Sequence, residues 1–257
     1  MQQTFQPFDA LHHADQLFLL PNVWNAKSAL LFQETGFPAV ATSSMAVADS
    51  LGYADGETMP FDDYLFVIKR ILATVQIPLS VDMEMGYGNT DKKILDNILQ
   101  LTSLGVAGIN IEDSIIVNST RSLNDATMFA KRIENIKNKL EAKGIRLFIN
   151  IRCDTYILNV KDTLKETINR IKLYETTGAD GIFLPCLREE KDIAAVVSNT
   201  KMPLNLMFIP GLPGFDILNK LGVKRVSMGP LLFNKLYGNV TTLSKTILKD
   251  KSIAAVL

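Results

Sequence analysis

The sequence predicts one α/β domain, residues 1–257, folded as a single (β/α)8 barrel of the TIM type. Eight short, mostly apolar runs with strand character alternate with eight segments long enough to form helices. Strands that are apolar throughout indicate a sheet covered on both faces, which is typical of parallel pairing. The length of 257 residues also matches the roughly 250 residues of such a barrel. An open, doubly wound sheet is the alternative architecture.

Each element is defined by its apolar spacing and by the glycine or proline at its end. Pro78 opens the third strand, and Gly36, Gly144, Gly178 and Gly222 end helices, because glycine readily adopts the left-handed conformation found there. The predicted strands are Leu17–Asn22, Ala39–Thr42, the run from Pro78, Ala107–Ile111, Arg146–Ile151, Gly181–Leu184, Leu204–Phe208 and Lys224–Met228. The predicted helices are Asn25–Thr35, Phe61–Thr74, Asp91–Ser103, Asn124–Lys143, Lys161–Thr176, Glu189–Ser198, Asp216–Leu221 and a closing helical segment at about 230–257, with a long loop after Ser44.

Composition and charge favour a small-molecule partner. The chain has 27 lysine and arginine residues and 27 aspartate and glutamate residues. It therefore has no net positive charge that would attract nucleic acid or an anionic membrane. No apolar run reaches the ~18 residues of a membrane span, and the amino terminus does not resemble a signal peptide. Cys153 and Cys186 are not spaced as a metal clip or a disulfide framework, so we expect reduced thiols in a cytoplasmic protein. His12 and His13 are expected at the surface.

The stretch Pro78–Thr90 (PLSVDMEMGYGNT) is the expected working centre, because a buried strand ends there in two acids. Asp82 and Glu84 are two residues apart, and strand side chains alternate, so both carboxylates project to the same side. Gly86 and Gly88 follow and allow a tight turn close to a ligand. Two like charges this close share a proton or hold a metal, unless both acids are simply solvated at the strand end.

Polar side chains recur at the carboxyl ends of the predicted strands, where the active sites of such barrels lie. They are Ser43 and Ser44, Asp82 and Glu84, Glu112 and Asp113, and Arg152 and Asp154, after strands two to five. Carboxylates without His or Cys suit Mg²⁺, with Mn²⁺ as the alternative, better than zinc. Strand alternation points only one of Glu112 and Asp113 inward, and we predict a metal set of Asp82, Glu84 and Glu112.

Arg152 presents a planar guanidinium suited to clamp a substrate carboxylate or to stabilise an enolate oxygen, with a structural ion pair as the alternative role. The turn at Ser43, Ser44 and Met45 offers backbone N–H groups to an anion. No lysine ends a strand, which counts against Schiff-base chemistry, and the Gly86–Gly88 segment does not match a nicotinamide-binding pattern.

With these residues assembled, the chain resembles the isocitrate lyase and phosphoenolpyruvate mutase superfamily over about residues 18–237. The motifs that carry the resemblance are PNVWNAKSALLFQETGFPAVATSS, LGYADG, VDMEMGYGN, GINIEDS, INIRCD, GADGIFLP and KRVSMGP. The resemblance implies a Mg²⁺-dependent barrel that cleaves or rearranges a C–C or P–C bond next to a 2-oxo acid, through an enolate that the metal stabilises. It also implies a homo-oligomer, a dimer or tetramer, in which the last helix packs on a neighbouring subunit.

The resemblance assigns roles to individual positions. Asp55 matches an acid near the metal, with Asp82, Glu84 and Glu112 as the metal set and Arg152 as the substrate-binding arginine. The expected catalytic residues are Arg152, Asp55 and Ser43, and the expected substrate-binding residues are Ser43, Ser44, Met45, Arg152 and Asn205.

One loop departs from the pattern of this superfamily. Its lyase branch carries a Lys-Lys-Cys-Gly-His type loop after the fourth strand, with the cysteine as acid, whereas this chain has SIIVNSTRSLND. The mutase branch places Lys and Asn there, where this chain has Asn118 and Thr120. Asp55, Tyr87, Ser119 and water therefore stay open as proton donors.

Three functions are left as hypotheses. The first is a Mg²⁺-dependent lyase that cleaves a C–C bond of a small 2-oxo or 2-hydroxy dicarboxylate, with Arg152 stabilising the developing enolate. In the second, the same site acts on the P–C bond of a phosphonate, as in a phosphonopyruvate hydrolase or a phosphoenolpyruvate phosphonomutase. The third is a 2-oxo acid binding protein without catalysis.

Overall fold

Nine parallel strand segments form the barrel wall in the computed structural model, which describes residues 4–118 and 120–257. The strands are β1 (Phe18–Leu20), β2 (Asn22–Val23), β3 (Val40–Thr42), β4 (Leu79–Asp82), β5 (Gly108–Glu112), β6 (Ser114–Val117), β7 (Thr120–Leu123), β8 (Phe148–Arg152), β9 (Gly181–Leu184), β10 (Leu204–Met207) and β11 (Arg225–Ser227). The wall order is β2-β3-β4-β5-β8-β9-β10-β11-β1, and β6 and β7 form a separate antiparallel hairpin. The predicted α/β barrel is confirmed.

The barrel closes at Pro21, between β1 and β2. β1 pairs with β11, and β2 pairs with β3, so the two segments act as one wall strand shared between two neighbours. On one side the Pro21 carbonyl accepts from the N–H of Ala41 (2.9 Å), and on the other the Leu20 carbonyl accepts from the N–H of Met228 (3.2 Å). The nine segments therefore make the eight wall strands that the sequence predicts.

Helices cover the outside of the wall. They are α1 (Phe5–His13), α2 (Ala26–Glu34), α3 (Ser44–Ser50), α4 (Phe61–Leu72), α5 (Asp91–Ser103), α6 (Ala126–Glu141), α7 (Thr163–Tyr174), α8 (Glu190–Ser198), α9 (Phe215–Leu221) and α10 (Leu231–Asp250). The first part of the loop predicted after Ser44 is instead helix α3, because Ser43 starts a helix by accepting from the N–H of Ala46 (3.3 Å); the LGYADGE segment that follows is a loop, as predicted. Among the described helices, none is long and apolar enough to cross a membrane.

Helix α1, which the sequence analysis did not predict, closes the amino-terminal end of the barrel. Its Phe8 and His12 are fully buried, so the prediction of a surface position for His12 is wrong. The imidazole of His12 stacks on Phe148 with ring centroids 4.0 Å apart, and the carbonyl of Phe8 accepts a hydrogen bond from its Nδ1 (2.9 Å). Gly108 makes room for this helix, because a Cβ there would lie 2.7 Å from the ring of Phe8.

Side chains of the wall alternate between two environments, as strand geometry requires. On β5, Ile109 and Ile111 belong to the large apolar cluster between wall and helices. Asn110 faces the barrel interior, where its Oδ1 accepts from Nδ2 of Asn150 (2.8 Å). This alternation delivers Glu112 to the carboxyl-terminal mouth of the barrel.

Candidate active site

A cavity of about 280 Å³ opens at the carboxyl ends of the wall strands. Its wall includes Ser43, Ser44, Met45, Asp55, Asp82, Arg121 and Arg152. A larger depression of about 760 Å³ lies at the opposite end of the barrel, beside the Lys137–Asp180 ion pair. We place the candidate site at the mouth, because the predicted acids and Arg152 meet there.

Asp82 ends β4 with one carboxylate oxygen engaged and one free. Its Oδ2 accepts from the hydroxyl of Ser44 (2.9 Å), whereas Oδ1 is buried and has no hydrogen-bond partner in the described structure. Burial raises the pKa of Asp82, and the nearby charge of Arg152 opposes that shift. An unpaired, buried anionic oxygen on a cavity wall is an available ligand for a cation.

Glu84 lies just beyond β4 and is held by the adjacent loops. Its backbone has a φ of +47°, which is uncommon for a residue with a Cβ. The Tyr87 hydroxyl donates to one oxygen (2.9 Å), and the Glu57 N–H donates to the other (3.1 Å). Burial, and then the charges of Asp55 and Asp82, raise the pKa of Glu84 to about 8.

Glu112 is enclosed by cations. Its Oε2 lies 2.9 Å from Nη1 of Arg152, as an ion pair without hydrogen-bond geometry, and its Oε1 contacts Arg121 and accepts from the hydroxyl of Ser114 (2.9 Å). Burial raises the pKa of Glu112 to about 7, although both arginines oppose the shift. Asp154 completes the cluster, since Nε of Arg152 lies 2.6 Å from its carboxylate.

Asp113 points away from this cluster. It accepts hydrogen bonds from Nη1 of Arg170 (3.0 Å) and from the hydroxyl of Tyr174 (2.7 Å), both on α7. Its second oxygen accepts from the backbone N–H of Asp154 (2.9 Å). Neighbouring acids thus serve opposite faces of the wall, in the arrangement that strand alternation predicts.

This barrel with its acidic mouth matches the phosphoenolpyruvate phosphomutase family over residues 8–248. The chain belongs to that family.

Individual relatives agree with the family match. An uncharacterized protein of Mycobacterium tuberculosis is 37% identical over 227 residues, which cover 88% of this chain and 83% of that protein. An oxaloacetate decarboxylase of Pseudomonas fluorescens is 27% identical over 228 residues, 87% of this chain and 77% of that protein. The solved structure of a proposed phosphonomutase from Burkholderia cenocepacia is 33% identical, with a TM-score of 0.88 over 95% of this chain and 99% of that one.

Most of the predicted site residues of this family member lie around one cavity. Ser43, Ser44, Met45, Asp55, Asp82 and Arg152 line it. Asn205 lies deeper, fully buried inside the barrel, where its Nδ2 donates to Oδ1 of Asn150 (2.7 Å). Asn118 and Thr120 are exposed on the β6–β7 hairpin, and Ser119 lies outside the described residues.

Arg121 is a cavity residue that the sequence analysis missed. It lies on β7, and its Nη1 reaches Glu112, Asp154 and the hydroxyl of Ser114, the last at 2.7 Å. The loop SIIVNSTRSLND carries no Cys, His or Lys, but its arginine supplies a cation at the same place. A guanidinium on a hairpin beyond an acidic strand end is the signal that would have identified it.

The metal set stays a prediction. In residues 4–118 and 120–257, no group of three or more His, Cys, Asp or Glu side chains is arranged to hold a metal ion. Glu84 and Glu112 are already engaged, so the three predicted acids do not form a ready cage. Asp82 does fit a metal, because it lines the cavity and one oxygen of its carboxyl group, a hard ligand, has no hydrogen-bond partner in the described structure.

Proposed function

We propose that this protein is a divalent-metal-dependent lyase that breaks a C–C bond of a small 2-oxo or 2-hydroxy dicarboxylate. The observation that carries the proposal is the free, buried oxygen of Asp82, which shares a cavity with the guanidinium of Arg152. The oxaloacetate decarboxylase among the relatives supports decarboxylation of oxaloacetate as the first reaction to test.

Mg²⁺ is the metal that we propose, with Asp82 as its direct carboxylate. Mg²⁺ usually keeps several waters and takes only one or two protein carboxylates, which agrees with Asp82, whose Oδ1 has no hydrogen-bond partner in the described structure. Asp55 on the cavity wall, and Glu84 and Glu112 behind it, would hold the waters. The bound ion would polarise the substrate's 2-oxo oxygen as a Lewis acid.

Arg152 is the residue that we assign to the negative charge developing on the 2-oxo oxygen when the C–C bond breaks. Burial acts to lower the pKa of Arg152, but the carboxylates of Glu112 and Asp154 outweigh burial and raise it, so the side chain stays charged. The same two acids fix the direction of its planar fork. The ion pairs and the catalytic role of Arg152 are thus compatible.

The turn at Ser43, Ser44 and Met45 is assigned to the substrate carboxylate. All three residues line the cavity, and the first N–H groups of a helix have no partners inside that helix. Of the proposed proton donors, Asp55 lines the cavity, whereas the Tyr87 hydroxyl donates to Glu84.

The decisive experiment measures decarboxylation of oxaloacetate, with 2-methylmalates, methylisocitrate and phosphonopyruvate as further substrates. We expect turnover that disappears on chelation and returns with Mg²⁺. Asp82→Asn should lower kcat/KM by about 100- to 1000-fold, a typical loss for one electrostatic group at a reacting centre. The control is Asp96→Asn on α5, a half-exposed acid that pairs with Lys92 of the same helix. Equal rates before and after chelation would contradict the metal mechanism.

P–C bond chemistry is the second candidate, favoured by the likeness to the proposed phosphonomutase. The hairpin that borders the cavity offers Arg121 and no lysine. Release of inorganic phosphate from phosphonopyruvate, faster than any C–C cleavage, would replace the first proposal with this one.

We also propose a homo-oligomer in the cytoplasm. On α10 only Phe233 is buried, while Leu236, Tyr237 and Val240 are between 46% and 49% exposed, an apolar surface that a neighbouring subunit would cover. Light scattering on the purified protein measures the oligomeric state directly. The cysteines Cys153 and Cys186 are both free thiols, as a reducing compartment requires.

A further inference from the structure

A row of polar side chains lies inside the barrel, below the cavity. Nδ2 of Asn205 donates to Oδ1 of Asn150 (2.7 Å), and Nδ2 of Asn150 donates to Oδ1 of Asn110 (2.8 Å). Gly181 lets the amides meet, because a Cβ there would lie 2.9 Å from Oδ1 of Asn150 and 3.1 Å from Nδ2 of Asn205. Barrels of this type usually fill their interior with branched apolar residues. This polar row therefore needs a reason.

Arg225, on β11, ends the row as a buried cation, and among the described residues no carboxylate lies within ion-pair distance of it. Its side chain is only 1% exposed and lies over the ring of Phe183 at 5.6 Å. Nη1 contacts Nε2 of His12 (3.4 Å), and Nη2 reaches Oδ1 of Asn110 (3.5 Å). Nε has no hydrogen-bond partner, and within the described chain no Asp or Glu forms an ion pair with this residue.

The neighbours of Arg225 do not neutralise it. Nδ1 of His12 donates to the carbonyl of Phe8, which leaves Nε2 as an acceptor for Arg225 and the imidazole uncharged. Burial lowers the pKa of Arg225 to about 9, and the charge of Asp82 acts against that shift. At neutral pH the guanidinium remains charged. An isolated buried charge is costly, and proteins normally pair it.

The cavity connects this cation to the mouth. Its wall includes Ser44, Asp82 and Arg152 near the strand ends, and it also includes Leu20, Ala41 and Arg225 in the interior. A ligand anchored at the mouth can therefore extend a second group towards Arg225 past apolar side chains. The volume of about 280 Å³ is enough for a small dicarboxylate of four or five carbons.

We propose that Arg225 is a specificity residue that binds the second carboxylate of the substrate. The identity of the ligand rests on the proposed function, whereas the anion site itself rests on the unpaired guanidinium. A carboxylate at this position would accept from Nε and give the buried charge its counter-ion. A substrate that ends there in a methyl group would leave the charge unpaired, so the site selects dicarboxylates over monocarboxylates of equal length.

The test compares two ligands, malate and 2-hydroxybutyrate, which have the same chain length and differ in the terminal carboxylate. Their dissociation constants are measured by calorimetry with Mg²⁺ present. For the wild type we expect malate to bind about ten- to a hundredfold more tightly, the size of one charge-assisted hydrogen bond. Oxalate is too short to reach Arg225 from the mouth, so its affinity reports whether the proposed metal site at Asp82 is intact.

Arg225→Met should reduce the preference for malate to about threefold or less, while oxalate affinity stays within about twofold. Asn205→Asp is the second variant, because Asn205 is in register with Arg225 and its new carboxylate would pair with the guanidinium. Asn205→Asp should remove the preference for malate over 2-hydroxybutyrate although Arg225 is still present. This variant therefore tests the role of Arg225 even if Arg225→Met does not fold. The control Arg146→Met changes an exposed arginine at the other end of the barrel and should behave as wild type.

Two outcomes would overturn the proposal. One is a wild-type preference that persists in Arg225→Met and Asn205→Asp. The other is equal affinity of the wild type for malate and 2-hydroxybutyrate. If chloride or phosphate also raises the melting temperature of the wild type but not of Arg225→Met, the site binds inorganic anions instead. Neither measurement requires turnover, so a failure of the proposed lyase activity would appear separately, as absence of decarboxylation.

Discussion

Glu112 and Asp113 are neighbours in sequence, yet they belong to two charge clusters on opposite faces of the barrel wall. The inner cluster joins Glu112 to Arg152 and Arg121 and borders the cavity. The outer cluster joins Asp113 to Arg170 under α7. Both pair buried acids with arginine, so composition alone does not distinguish them.

Hydrogen bonding separates the two clusters. Both oxygens of Asp113 accept hydrogen bonds, from Arg170, from Tyr174 and from the backbone of Asp154. In the inner cluster Oδ1 of Asp82 is buried without a hydrogen bond, whereas Oε2 of Glu112 is held by its ion pair with Arg152. A saturated cluster stabilises the fold, whereas an unsaturated one beside a cavity is available to a ligand.

The largest effect should come from breaking the outer cluster. Asp113→Ala leaves the buried guanidinium of Arg170 without its main acid, and such a loss typically costs about 3–5 kcal/mol of unfolding free energy. Urea denaturation measures it. Activity per folded molecule should stay within about threefold of wild type, and Tyr174→Phe should cost only about 1 kcal/mol. A stable variant without activity would reverse the roles assigned to the two clusters.

The second effect concerns pH in the metal-free protein. A carboxyl whose folded pKa is raised stabilises the fold at pH values below its usual pKa, and the contribution is lost as pH rises through the folded value. With its pKa near 7, Glu112 alone should lower the unfolding free energy by about 2 kcal/mol between about pH 5 and pH 8, and Glu84 should add to this fall.

Glu112→Gln should remove about 2 kcal/mol of this fall, because the amide does not titrate, and should leave the part that comes from Glu84, whose pKa is also raised. The exposed Glu134→Gln on α6 is the control, and its profile should follow wild type. An unchanged slope in Glu112→Gln would mean that other groups cause the pH dependence.

The smallest effect should come from Arg121, at the rim of the inner cluster. Its side chain is only 19% exposed and pairs with fully buried acids, but Arg152 still pairs with the same acids, so Arg121→Met should cost about 1–2 kcal/mol of stability. We expect kcat/KM to fall about tenfold, because Arg152 alone would then balance Glu112 and Asp154. Arg132→Met, which breaks the exposed ion pair with Asp91, is the matched control. Equal activities of the two variants would remove Arg121 from the site.

The barrel was predictable from sequence because its wall strands are apolar and its helices end at glycines. Helix α1 was missed because its buried face includes His12, a polar residue whose burial depends on Phe148 far along the chain. Helix α3 was missed because its seven residues carry little periodicity, and only the Ser43 cap marks its start.

The candidate site was predictable wherever a polar residue directly ends a strand, as at Asp82 and Arg152. It was not predictable where a tertiary contact decides the role. Arg121 reaches the cavity only because β6 and β7 fold back as a hairpin, and Arg225 is inside the barrel only because its strand closes the wall. Whether a carboxylate is free or engaged, as for Asp82 and Glu84, also depends on loops that only the folded chain brings together.

The closure at Pro21 has a consequence for how the protein is made. The N–H of Gly229 donates to Oδ1 of Asn22 (2.8 Å), and 207 positions separate the two residues. During synthesis β1 therefore cannot pair with β11 until nearly all of these residues have emerged from the ribosome. Until then the growing sheet has two open edges, which can pair with other chains. Nascent chains that stop before β11 should consequently depend on chaperones to stay out of aggregates.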